Sequence, residues 1–69
     1  VLKMKTAILD ALEARYEAQI LEADATLKIY FESSVGIGEH SDIIGAINEQ
    51  VEKAVHAQEK LDYINSLKW

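Results

Sequence analysis

Every glycine of this 69-residue chain falls between Gly36 and Gly45, and proline is absent. The backbone therefore has one stretch at which a helix is readily broken. On either side the residues are mostly strong helix formers. This distribution predicts a helix over about 2–33, a loop over about 34–40 and a second helix over about 41–67. At a rise of ~1.5 Å per residue each helix is roughly 40 to 45 Å long, and so short a connection returns the chain antiparallel. The expected fold class is all-α, an antiparallel two-helix hairpin forming one domain over 1–69. Ser41 or Asp42 is suited to cap the second helix, with a start at Glu39 or His40 as the alternative. Gly45 then lies in an early turn, where its entropic cost is tolerable.

Stability is the first difficulty for such a chain, because a short domain buries a small share of its unfolded surface. Small scaffolds compensate with disulfides, a structural metal or oligomerisation. With no cysteine, cross-links and thiolate zinc sites are both excluded. That leaves only His and carboxylate ligands for any metal, or association with another copy or with a different protein. Homodimerisation of the hairpin into a four-helix bundle is the expected form, since closed twofold pairing leaves no sticky surface exposed.

Placing residues at ~100° per step gives the first helix two apolar faces. Leu9, Leu12, Tyr16, Ile20, Ala23, Leu27, Tyr30 and Phe31 form a broad sector suited to a conventional core. Nearly opposite, Met4, Ala7, Ala11, Ala14, Ala18, Leu21 and Ala25 alternate steps of three and four, a heptad seam built mostly from alanine. Small residues let helix backbones approach closely, so this seam is the predicted oligomer interface. A plain alternative is that alanine is the best helix former and the seam faces water. The second helix carries its own stripe of Ile44, Ile47, Val51, Ala54, Gln58, Leu61 and Asn65, flanked by Ile43, Val55 and Ala57. Gln58 and Asn65 interrupt it at positions where a buried amide would fix register by demanding a partner. Tyr63, Leu67 and Trp69 add an apolar end.

Twelve acidic against seven basic residues give a formal charge of -5, which disfavours non-specific attraction to nucleic acid or anionic membrane. No apolar run approaches a membrane-spanning length, and the opening residues lack the apolar stretch of a signal peptide. The expectation is a cytoplasmic protein whose partners are proteins. The chain begins at Val1, which leaves Met4 as a candidate original initiator.

Few residues suggest chemistry. Glu52, His56 and Glu59 share one side of the second helix, and imidazole with carboxylates binds metal when they converge. The familiar di-metal motif of helical bundles runs Glu-x-x-His rather than the reverse, and a second matching motif is missing. A metal- or ligand-binding bundle using this face is the alternative functional reading; a solvated, ion-paired face is the simpler one. Glu49 with Lys53 and Asp24 with Lys28 have the spacing that supports exposed helices. Gly36-x-Gly38 resembles a phosphate-cradling loop only weakly, because no strand precedes it, no Lys-Ser or Lys-Thr follows it, and Glu39 adds negative charge. With no cleft and no nucleophile beside His40, the chain is not expected to be an enzyme, and no cofactor is implied.

The segment Leu9-Asp10-Ala11-Leu12-Glu13-Ala14-Arg15-Tyr16-Glu17-Ala18-Gln19 and the loop Val35-Gly36-Ile37-Gly38-Glu39-His40 resemble an uncharacterised family of short helical proteins of marine tailed phages, especially those infecting cyanobacteria. The similarity covers most of the chain. The family pattern has prolines where Ser34 and Ser41 stand here, so the rigid loop ends those would give are missing. The resemblance implies a viral accessory or structural protein, acting in the virion or on a host protein in the cytoplasm, and it carries over no catalytic residue. In either setting Gly36 and Gly38 set the turn, since helix ends often need positive φ, and His40 caps it or contacts a partner. Gly38→Val is therefore expected to lower the folded fraction measured by circular dichroism; unchanged melting and assembly would assign the loop to recognition instead.

Overall fold

In the computed structural model, which describes residues 2–32 and 42–68, all regular structure is helical. Helix α1 spans Leu2–Glu32 and helix α2 spans Ile43–Ser66. The expected loop with Gly36, Gly38 and His40, and Ser41 as a cap, lie outside the described residues. The two helices pack against each other along their lengths. Their sense is antiparallel: Glu13 in the first half of α1 reaches Lys68 just beyond α2, while Tyr16, later in α1, meets Lys60, earlier in the chain than Lys68. The hairpin is a rod of 54 × 14 × 11 Å between Cα extremes.

Burial follows the large-residue face of α1 closely. Leu9 and Ala23 are buried, and Leu12, Tyr16, Ile20, Leu27 and Tyr30 are half-buried. Phe31, expected with them, is 61% exposed, because its ~100° step from Tyr30 carries it off the contact line near the helix end. On α2 the seam lies one residue away from the expected stripe at alternate positions. Ile47, Ala54 and Leu61 are half-buried as expected, but their companions are Ile43, Gln50, Ala57 and Ile64 rather than Ile44, Val51, Gln58 and Asn65. The choice has a plain cause. Turning Gln58 and Asn65 inward would bury two amides against an apolar α1 face with nothing to pair them, and an unpaired buried amide costs on the order of 1 to 3 kcal/mol. Facing Ala57 and Ile64 inward leaves only Gln50 half-covered. Gln58 is instead exposed, its Nε2 donating to Asp62 Oδ1 at 3.0 Å on its own helix.

Alanines mark the tightest part of the contact. Ala23 and Ala57 are 2% and 1% exposed, lower than Leu9 or Ile64, the other buried residues among those described. Having no side chain beyond Cβ, each lets the opposite helix come close enough to exclude water from it. The core is correspondingly small. Two of its four members contribute a single methyl group, so the apolar area removed from water is modest.

The helix ends are weakly secured. Asp42 occupies the N-cap of α2, yet its carboxylate makes no capping hydrogen bond; its carbonyl accepts from Ala46 N–H at 3.1 Å. The carboxylate instead lies over Gly45, where an added Cβ would collide with Asp42 Oδ1. The glycine leaves room for Asp42 to fold back; with a Cβ there the carboxylate, which no capping bond holds, would have to turn away. At the other end Leu67 N–H bonds Ile64 O at 3.0 Å, a tightened last turn that satisfies one of the free carbonyls. Neither helix has an acidic first turn or a basic last turn, so neither macrodipole is complemented by its own ends.

Leu9→Ala is expected to lower stability by about 2 to 3 kcal/mol, as deletion of buried methyl groups does. Ile8→Ala, one residue earlier and 54% exposed, should change it by less than about 0.5 kcal/mol. Urea titration followed by circular dichroism measures both; equal effects would refute this placement of the contact line.

Candidate interaction surface

With the contact lines of both helices fixed, the ~100° step assigns every other residue to a side of the rod. Behind α1, away from α2, lies the alanine seam. Met4, Ala7, Ala11, Ala14, Ala18, Leu21 and Ala25 are all exposed in the single chain, Met4 and Leu21 at 68% each. Among the described residues nothing covers this face.

The two broad sides of the rod, where both helices are visible, differ in chemistry. One side is polar. Gln19, Glu22, Gln50, Lys53, His56 and Lys60 surround a groove of about 390 Å³ whose floor is Ala23 and Ala57. The groove exists because those two alanines bring the backbones together without filling the space above them. Lys53 Nζ sits 3.8 Å from Glu49 Oε1, the expected i,i+4 pair, and Lys60 Nζ lies 5.8 Å from the centre of the Tyr16 ring, within cation–π range. His56 leans toward this groove. Glu52 and Glu59 project from the outer edge of α2, and Glu52 Oε1 accepts from Asn48 Nδ2 at 3.2 Å. The three residues considered as metal ligands thus do not converge. Among the described residues no group of three or more His, Asp or Glu side chains is arranged to hold a metal ion.

The other broad side is apolar in the half nearer the loop. Phe31 of α1 and Ile44, Val51 and Val55 of α2 point this way, with Leu21 of the seam at the margin, Ile44 being 80% exposed. Leu21, Asp24, Ala25, Leu27, Lys28 and Phe31 outline a shallow hollow of about 500 Å³ along α1. Toward the open end of the rod the same side turns acidic with Asp10, Glu13 and Glu17. Lys68 answers them, its Nζ hydrogen-bonded to Glu13 Oε2. The ammonium is held above the ordinary lysine value of 10.5, first by that hydrogen bond; desolvation opposes the shift, and the charges of Glu13, Asp10 and Glu17 add to it.

This side is the one that sequence reasoning did not separate out. Ile44, Val51 and Val55 were legible as apolar, but the heptad phase placed Ile44 and Val51 in the internal contact. Only the unfavourable burial of Gln58 and Asn65 pointed to the alternative phase.

The fold and its surfaces define a class, a two-helix hairpin with more apolar surface than one internal contact can cover. Comparison with protein-family models, with curated proteins and with solved structures finds no match. Among the described residues no helix is long and apolar enough to cross a membrane.

Because the folded value of Lys68 is raised, the Glu13–Lys68 pair supports the fold fully below the ordinary lysine value of 10.5 and is lost as pH rises through the elevated one. The stability difference between wild type and Glu13→Gln is thus expected to hold steady from neutral pH to about 10.5 and then to close, which urea melts across that range will show.

Proposed function

We propose that this chain is a non-enzymatic protein–protein interaction module that works as a self-associated hairpin, two copies completing a four-helix bundle. One observation carries the reading. The single chain exposes 5434 Å², whereas the size scaling for compact monomers gives about 4,300 Å² for a mass of 7.7 kDa. The excess of roughly 1,100 Å² is comparable with the ~800 Å² that each partner gives up in a standard protein interface. A second copy would bring the hairpin to the exposure of an ordinary small protein.

Two surfaces compete for that copy, the alanine seam behind α1 and the apolar half of the broad side. Either leaves the acidic exterior in water. That exterior disfavours nucleic acid and anionic lipid as partners and fits the expectation of a protein partner. In the setting suggested by the phage-family resemblance, the module would serve as a viral accessory or structural part, its bundle presenting a rigid surface to a host or viral protein in the cytoplasm or the virion.

A second reading, ligand binding, is favoured by the groove that holds His56, Lys53 and Lys60. It is the weaker one, because Glu22 is the only carboxylate lining that groove, and the described residues offer no metal set. Sedimentation equilibrium with and without chelator separates the two. Self-association predicts twice the 7.7 kDa chain mass at micromolar concentration, unchanged by chelator. Metal-dependent mass that disappears in His56→Ala would favour the second reading, and a strictly single, stably folded chain at millimolar concentration would refute the first.

A further inference from the structure

An open apolar face or an alanine stripe specifies no occupant by itself. The polar groove does more, because its two walls differ in charge and its size is that of a small molecule. We propose that this groove binds a small phosphate-bearing anion, held by Lys53, His56 and Lys60 of α2 over a floor of Ala23 and Ala57. The proposal does not depend on self-association and goes beyond it, adding a ligand to the single hairpin.

Spacing places the cations. Residues 53, 56 and 60 are three and four apart, so at ~100° per step they fall within about 60° of one another around α2. Three basic side chains therefore rise from one wall of a groove of about 390 Å³, a volume in the range of small-molecule sites. Gln50 belongs to the same helix, and Gln19 and Glu22 of α1 form the facing wall. The two glutamine amides add N–H donors. Ala23 and Ala57 beneath are 2% and 1% exposed, so a ligand would rest on two methyl groups while its charge meets α2.

The cations are available for such a ligand. Lys53 Nζ lies 3.8 Å from Glu49 Oε1, beyond a normal hydrogen bond, which leaves its N–H donors for a closer acceptor. Lys60 has no carboxylate within ion-pair distance among the described residues. Its Nζ is 5.8 Å from the Tyr16 ring centre, near the outer limit of a cation–π contact. Glu22 is the one carboxylate lining the groove, and the two lysines outnumber it even with His56 neutral. The whole chain has the opposite sign, a formal charge of -5. Its long-range field repels anions, but that field is screened beyond about 8 Å at physiological ionic strength, so local contacts decide. Phosphate suits these contacts better than a carboxylate, because its extra charge and three acceptor oxygens engage several donors at once. The scarcity of carboxylates that disfavours a metal here favours this ligand.

Titrating inorganic phosphate into the isotope-labelled chain at fixed pH and ionic strength, followed by NMR, tests the site. Saturable shifts are expected at the backbone amides of Ala23 and Ala57 and at the side-chain amides of Gln19 and Gln50. Lys53→Gln and Lys60→Gln are each expected to weaken binding about two- to fivefold, the size of an exposed charge contact, and Glu22→Gln to strengthen it by a similar factor. Lys28→Gln removes the same charge outside the groove and is expected to leave binding unchanged. Equal weakening in Lys28→Gln would reduce the effect to general electrostatics and overturn the site, as would shifts that rise without saturation. Circular dichroism checks the helicity of each variant; should Lys60→Gln unfold, Lys53→Gln, whose side chain is 59% exposed, carries the test. Sedimentation of the same samples keeps the two readings apart. A single chain that binds phosphate refutes self-association alone, and a dimer that ignores phosphate refutes only the groove.

Discussion

Two helices share only one surface of contact, and the rest of this structure depends on that constraint. A residue facing the partner helix can be buried; a residue facing any other way meets water. In larger helical domains a third or fourth helix covers the remaining apolar residues and the core grows with each layer. Here it stops at Leu9, Ala23, Ala57 and Ile64 among the described residues, with half-buried neighbours around them. The narrowness follows from the two alanines. They allow close approach and remove water efficiently from a small area, yet they leave the groove beneath Lys53, His56 and Lys60 unfilled.

The same constraint explains why polar side chains secure the margins. Lys68 pairs with Glu13 across the open end, Lys60 lies over Tyr16, and Gln58 bonds Asp62 along its own helix. Each of these interactions is exposed and individually modest. Together they distinguish the polar broad side and the acidic end from the apolar half. The rod thus has unlike sides, which would give the proposed association a defined orientation.

The carboxylates and imidazole considered as metal ligands are divided between the outer edge of α2 and the polar groove, because Glu52 and Glu59 lie near the far side of the helix while His56 turns toward the gap. What the described residues do bring together is apolar area. The proposed self-association would use that area, since identical copies would supply a complementary surface without any other component.

The helix-forming flanks made two helices legible, because helix propensity is a local property of the backbone; their described spans are Leu2–Glu32 and Ile43–Ser66. The large-residue face of α1 was equally legible, because one sector is richer in Leu, Ile and Tyr than any other and its burial is favourable against any apolar partner. Isolation of the alanine seam from α2 could be read for the same reason, as it lies opposite that sector. The phase of α2 could not. Its apolar residues span an arc wide enough for two neighbouring heptad lines, one through Ile44 and Val51 and one through Ile43, Ala57 and Ile64, and hydrophobic periodicity alone weighs them about equally. Tertiary packing decided between them. Among the described residues no further helix pairs the amides of Gln58 and Asn65, so the line that kept them in water prevailed, and that rotation moved Ile44, Val51 and Val55 onto the open side of the rod.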